Sequence, residues 1–120
     1  KTVSMDELLA ASDFITLHVP KQKDGSAVLG RNEMEKMKKG VCLVNTARGG
    51  SIDEKILIEY LDNGKIAHSA LDVFENEPTP AKELLEHKKI SLSPHIGAST
   101  NEAQDRIGVE LAEKIISFFK

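Results

Sequence analysis

Residues 41–54 read Val41-Cys42-Leu43-Val44-Asn45-Thr46-Ala47-Arg48-Gly49-Gly50-Ser51-Ile52-Asp53-Glu54. A short apolar run gives way to a polar loop with two glycines and then to a helix start. Repeated along a chain, that unit builds an α/β layer with a parallel sheet. Working outward, Phe14-Ile15-Thr16-Leu17-His18-Val19 precedes it, and the runs 66–73 and Lys89-Ile90-Ser91-Leu92 follow. The first three runs are nearly continuous in apolar or small residues, which predicts central strands covered by helices on both faces.

Helices are expected between the strands. Ser4…Glu7 and Ser51…Glu54 both fit the capping box, in which a hydroxyl and a carboxylate three residues on satisfy free amide donors. The second opens a helix along Ile56, Leu57, Tyr60 and Leu61, ended by Asn63-Gly64. A shorter helix is expected over 32–38, stopping at Gly40. Thr79-Pro80 supplies a cap with proline at the first helical position before 81–86. Ser99-Thr100-Asn101-Glu102 starts the longest helix, with Ile107, Leu111, Ile115 and Phe118/Phe119 on one side.

The 120 residues are slightly fewer than a typical domain of roughly 150. At 40% hydrophobic and 29% charged, the composition is that of an ordinary soluble globular protein. The 16 basic and 19 acidic residues are interspersed, so no basic stripe suits nucleic acid or anionic lipid. No run approaches the roughly 18 apolar residues of a membrane span, and no signal-peptide core is visible. The single Cys42 has no partner for a disulfide and is expected to be a buried hydrophobe, which points to a reducing, cytoplasmic setting. A start without Met and a helical pattern running to Lys120 suggest a piece of a longer protein.

In open parallel sheets ligands bind beyond the carboxyl ends of the strands, so those four ends are the candidate site. Arg48 follows a strand and precedes two glycines. Its planar fork of donors suits a carboxylate, or else closes a salt bridge or a helix-cap contact. His95, between Pro94 and Gly97, could exchange a proton, and Glu77 beside Pro78 could fix its tautomer, unless the two are an unrelated surface pair. His18 could line a cleft, His68 reads as packed within its strand, and His87 reads as solvent-exposed on a charged helix end. No histidine pair has metal-ligand spacing, and neither a G-x-S-x-G elbow nor a P-loop occurs. The eight glycines form no G-x-G-x-x-G turn.

Taken together, Asn45-Thr46-Ala47-Arg48-Gly49, the run from Leu71 through Asp72, Phe74 and Glu77 to Pro78, and Pro94-His95-Ile96-Gly97 resemble the D-isomer-specific 2-hydroxyacid dehydrogenases. The stretch from Gly97 to Gln104, with Arg106-Ile107-Gly108, is most similar to their D-3-phosphoglycerate dehydrogenase branch. The resemblance implies the second half of a Rossmann-like doubly wound parallel sheet. About four strands with flanking helices are expected, with the first half and the substrate domain outside this chain. Residues 1–98 would belong to that half domain, and 99–120 to a helix leading back toward the substrate domain.

The resemblance also implies hydride transfer between NAD and a D-2-hydroxy or 2-oxo acid, most closely D-3-phosphoglycerate, in serine synthesis. Glyoxylate/hydroxypyruvate reductase, D-lactate-type dehydrogenase and a non-catalytic NAD-sensing corepressor are the alternatives. Arg48, Glu77 and His95 would be the catalytic residues: carboxylate grip, histidine partner and acid/base. Cofactor contacts would come from His18, Val19, Pro20, Thr46, Ala47, Arg48, Asp72, His95, Gly97 and Ala98. No metal, nucleic acid or membrane is implied. The full-length protein would be a cytoplasmic homodimer or homotetramer, and the isolated segment is expected to be inactive. The chain departs from the family pattern at Lys21-Gln22-Lys23-Asp24-Gly25-Ser26, which replaces the usual leucine and threonines.

Overall fold

A computed structural model describes residues 1–120. The elements run α1 (Met5–Ala11), β1 (Phe14–Leu17), α2 (Arg31–Lys36), β2 (Val41–Asn45), α3 (Glu54–Asp62), β3 (Ile66–Leu71), α4 (Lys82–Leu85), β4 (Ile90–Leu92) and α5 (Asn101–Phe118). All strands are parallel and their spatial order is β1-β2-β3-β4. The alternation of strand and helix is the one the sequence predicts.

The expectation of helices on both faces is not met within this chain. Right-handed crossovers that advance steadily in one direction deposit every connecting helix on the same side of the sheet. Leu9 of α1, Met34 of α2, Leu57, Tyr60 and Leu61 of α3 and Leu84 of α4 accordingly share one core with Ile15, Leu17, Val41, Leu43, Ile66 and Leu71 of the strands. On the opposite face Phe14, Thr16 and His68 are exposed, while Cys42 and Val44 are half-buried. His68 is therefore not packed and Cys42 is not a core residue. Among these four strands β1 lies at one end of the sheet, and Phe14 is 75% exposed there.

Two expected caps move. Ser51 and Ile52 are drawn into backbone pairing with the preceding loop: the Ser51 carbonyl accepts from the Val28 and Leu29 amides at 2.9 and 3.0 Å, and Leu29 bridges Ile52. The helix cannot begin until that pairing ends, so Asp53 becomes the cap, its carboxylate accepting from the Ile56 amide at 3.0 Å. Ser51 is buried with no hydrogen-bond partner for its hydroxyl. Thr79-Pro80 likewise lies outside α4, whose first turn closes on the Ala81 carbonyl. Ser4 and Thr100 do cap α1 and α5, each accepting an amide three residues on at 3.2 Å. His87 is half-buried rather than solvent-exposed: its Nδ1 accepts from the Lys89 amide, and its Nε2 lies 3.2 Å from Asp62.

No residue of α5 is buried. That explains a radius of gyration of 16.8 Å, against about 14 Å for a compact chain of this length. No helix is long and apolar enough to cross a membrane.

The loop after β2 and the loop after β3 meet without side chains between them. A Cβ on Gly49 would lie 1.8 Å from the Phe74 carbonyl oxygen, which no relaxation of a flexible side chain could relieve. Gly49→Ala in the full-length protein is therefore expected to force the two loops apart and cost about 1–3 kcal/mol of stability, the range for overpacked sites. Thermal unfolding checks this: an unchanged Tm would refute the close approach.

Candidate functional site

Strand register brings the candidate residues together. Leu17 pairs with Asn45, Asn45 with Leu71 and Leu71 with Leu92. The next residue of each strand is thus His18, Thr46, Asp72 or Ser93, and four loops start in one row at the carboxyl edge of the sheet.

His18, Val19 and Pro20 are exposed after β1, with His18 Nε2 3.0 Å from Thr16 Oγ1. After β2 the buried Asn45 side chain closes the loop on itself. Its Oδ1 accepts from the Ala47 amide and its Nδ2 donates to the Arg48 carbonyl, both at 3.1 Å. Thr46 and Arg48 are thereby turned outward while Ala47 is buried. The Arg48 guanidinium donates to the Ala47 carbonyl at 2.6 Å and makes no ion pair. Its fork is not consumed by an acid of this chain.

Asp72, just beyond β3, is 6% exposed, and both its oxygens are engaged. Oδ1 accepts from the Ser93 hydroxyl at 2.6 Å and the Ile96 amide at 2.9 Å, while Oδ2 accepts from the Gly97 amide at 2.9 Å. The Ser93 hydroxyl, followed by the two amides, holds this carboxyl below the usual carboxylate range. The clamped turn is strained, since His95 and Ala98 have φ of 52° and 62°. Left-handed backbone at a non-glycine residue costs about 1–3 kcal/mol. Hydrogen bonds to a charged group contribute about 1.5–3 kcal/mol each, so three of them are sufficient to hold the turn.

The clamp presents His95 to Glu77. His95 Nδ1 donates to Glu77 Oε2 at 2.6 Å, and Glu77 Oε1 accepts from the Phe74 amide at 2.9 Å. The histidine contact and then the Phe74 amide hold the Glu77 carboxyl below its ordinary range, so it is ionised near neutrality. A carboxylate at Nδ1 fixes the proton there and leaves Nε2 free to take or give one. The Glu77–Pro78 peptide is cis. Beside the pair opens a cleft of about 460 Å³ walled by Phe74, Pro80, Leu85, Leu92 and Pro94. Arg48 is not part of its wall and stands instead in the strand-end row.

The structure thus joins His95 with Glu77 directly, and Asp72 with the turn carrying His95, Gly97 and Ala98. It brings the loop that carries Arg48 against the loop after β3 at Gly49. Sequence reading missed Asn45 and Ser93 as holders of these loops, and with them Glu54, whose Oε1 accepts from the Glu75 amide at 2.7 Å. Asn45 and Ser93 stand at strand ends, where a short polar side chain next to a turn was a usable signal. Glu54 gave a misleading one, because the capping-box spacing assigns its carboxylate to the amide of Ser51.

Residues 1–97 match the family described as D-isomer specific 2-hydroxyacid dehydrogenase, NAD binding domain. The chain is 48% identical over 121 residues to a D-3-phosphoglycerate dehydrogenase of Archaeoglobus fulgidus, which covers all of this chain and 23% of that protein. It is 49% identical over 116 residues to a hydroxypyruvate reductase of Thermotoga maritima, covering 94% of this chain and 38% of that one. Among solved structures, a glyoxylate reductase from Paecilomyes thermophila superposes with a TM-score of 0.84 at 46% identity, over 89% of this chain and 33% of that chain. The chain therefore spans well under half of the relatives it matches. With the parallel strand-end row, the histidine–glutamate pair and a family match running from the first residue through Gly97, this chain belongs to the D-isomer-specific 2-hydroxyacid dehydrogenase family, in its NAD-binding domain.

Proposed function

We propose that this segment is the catalytic face of an NAD-dependent dehydrogenase that interconverts D-3-phosphoglycerate and 3-phosphohydroxypyruvate. In this reading 1–98 complete a nucleotide-binding domain, 99–120 lead to a substrate domain, and the full protein is a cytoplasmic homodimer or homotetramer. The observation that carries the chemistry is the 2.6 Å contact between His95 and Glu77 at the end of β4.

The residues present suit the nicotinamide end of the cofactor. The row is open, its acids are occupied by Ser93, Ile96, Gly97 and His95, and Gly97 lies so close to Asp72 that a Cβ would stand 3.1 Å from Oδ2. His18, Val19 and Pro20 would flank the adenosine end, and Thr46, Ala47, Gly97 and Ala98 would border the ring. Asp72 would shape that border through the turn it clamps. Bound NAD supplies the acceptor for the hydride from C2 of the hydroxy acid. His95 Nε2 takes the C2 hydroxyl proton, and Glu77 stabilises the imidazolium that results. Arg48 grips the substrate carboxylate with its planar fork and orients the reacting carbon.

His95→Ala in the full-length protein is expected to lower kcat/KM about 10²–10⁴-fold, the usual worth of a positioned acid/base. Arg48→Lys, which keeps charge but loses the fork, is expected to raise KM for the acid more than it lowers kcat. Steady-state kinetics decide both, and near-normal turnover by His95→Ala would sink the mechanism. The hydroxypyruvate reductase match keeps a second substrate in contention. A panel of 2-oxo acids separates them: a higher kcat/KM on hydroxypyruvate or glyoxylate than on the phosphorylated acid would replace the substrate assignment.

The pH dependence has a definite sign. Asp72 and Glu77 are depressed in the fold, so the stability they contribute is present above the ordinary carboxylate range, about pH 4, and is lost as pH falls through their lowered values. Thermal scans from pH 7 to 3 are expected to show a steeper acid loss for the wild type than for Asp72→Asn, which starts lower. Parallel curves would remove Asp72 from this role.

A further inference from the structure

Glu54 lies outside the row of strand ends, yet the residue is only 7% exposed and its side chain reaches the loop after β3. Its Oε1 accepts from the Glu75 amide at 2.7 Å, bridging the start of α3 to the acidic loop after β3. That amide belongs to the same peptide unit as the Phe74 carbonyl, which sits against Gly49. One peptide plane is thus gripped from both sides by a single stretch: Gly49 on its carbonyl and Glu54 on its N–H. At one end of that stretch stands Arg48. At the far end of the gripped loop, Glu77 reaches back to the Phe74 amide and out to His95.

Burial, together with the nearby charges of Glu75, Asp53 and Glu77, pushes the Glu54 carboxyl up. A buried acid next to other acids is a costly way to begin a helix, since Asp53 already caps α3. Its contact with Glu75 is what the placement gains.

We propose that Glu54 is a positioning residue, which holds the Phe74–Glu75 peptide so that Glu77 meets His95 in register with Arg48. The role rests on the dehydrogenase reading above, because it acts through Glu77. It needs an acceptor oxygen at glutamate length and does not need the charge.

Two substitutions in the full-length protein separate reach from charge. Glu54→Gln keeps an acceptor oxygen at the same distance, whereas Glu54→Asp keeps the charge but falls short by one methylene. Glu54→Asp is expected to lower kcat on the order of 10-fold, with KM for NAD nearly unchanged, because small misplacements of catalytic groups are expensive. It should also shift the pH profile of kcat/KM, while Glu54→Gln stays within about threefold of wild type and keeps that profile. A Glu54→Asp enzyme with a lower Tm but wild-type kcat and pH profile would reduce Glu54 to a structural role and overturn the proposal. So would a Glu54→Gln enzyme impaired as severely as Glu54→Asp. Either failure leaves the His95→Ala result untouched. A fully active His95→Ala would instead remove the reading on which this role depends.

Discussion

Parallel pairing aligns strand ends, and the place of every loop at the candidate site follows from that alignment. Once Leu17, Asn45, Leu71 and Leu92 are in register, the residue after each must begin a loop at the same edge, whatever its side chain. The sheet therefore concentrates His18, Thr46, Asp72 and Ser93 in one row without any direct attraction among them. The apolar residues that fix the register, such as Leu43 and Ile66, are buried at 1% and 0% exposure. Slipping one strand by a residue would turn those side chains outward and scatter the row together with the core.

Register only delivers loop origins; loop shapes come from short polar contacts. Asn45 closes the loop after β2, Asp72 with Ser93 closes the loop after β4, and Gly49 lets the loops after β2 and β3 touch. Burial follows this division for most of the site. Side chains that hold loops are buried, as Asn45, Glu54 and Asp72 are, whereas Arg48 and His95 are exposed. A buried scaffold behind exposed polar side chains is the arrangement that preorganised chemistry requires.

Much of this was legible in the sequence, and the failures have definable causes. Periodicity and caps located the strands and helices, and the three motifs located His95, Glu77 and Arg48. Coverage of the sheet was misjudged because a nearly continuous apolar strand announces burial on both faces but not which segment provides the cover. With strand order running monotonically, this chain can cover one face only. His68 and Cys42 were misplaced for that reason. Ser51 was misread because the capping box is a local pattern, and a long-range pairing with Val28 and Leu29 outcompeted it. Glu54 was invisible for the complementary reason: its partner, Glu75, lies 21 residues away.

The acids near the site show why side-chain type alone could not assign their roles. Glu54, Asp72 and Glu77 are chemically similar, yet the fold drives them in opposite directions. Asp72 receives three donors from the β4 turn and becomes a fixed anion that shapes backbone. Glu77 receives one amide and one imidazole, which leaves it ionised and coupled to a group that can change protonation. Glu54 receives a single amide in a buried place among other acids, which raises its carboxyl instead. Donor count and burial separate anchor, partner and brace. Glu75 contributes only its backbone to this network, although its side chain stands two residues from Glu77. An acid becomes the partner of His95 because the Phe74 amide aims it there, so the geometry of the turn before Pro78, and not the density of carboxylates, selects the residue.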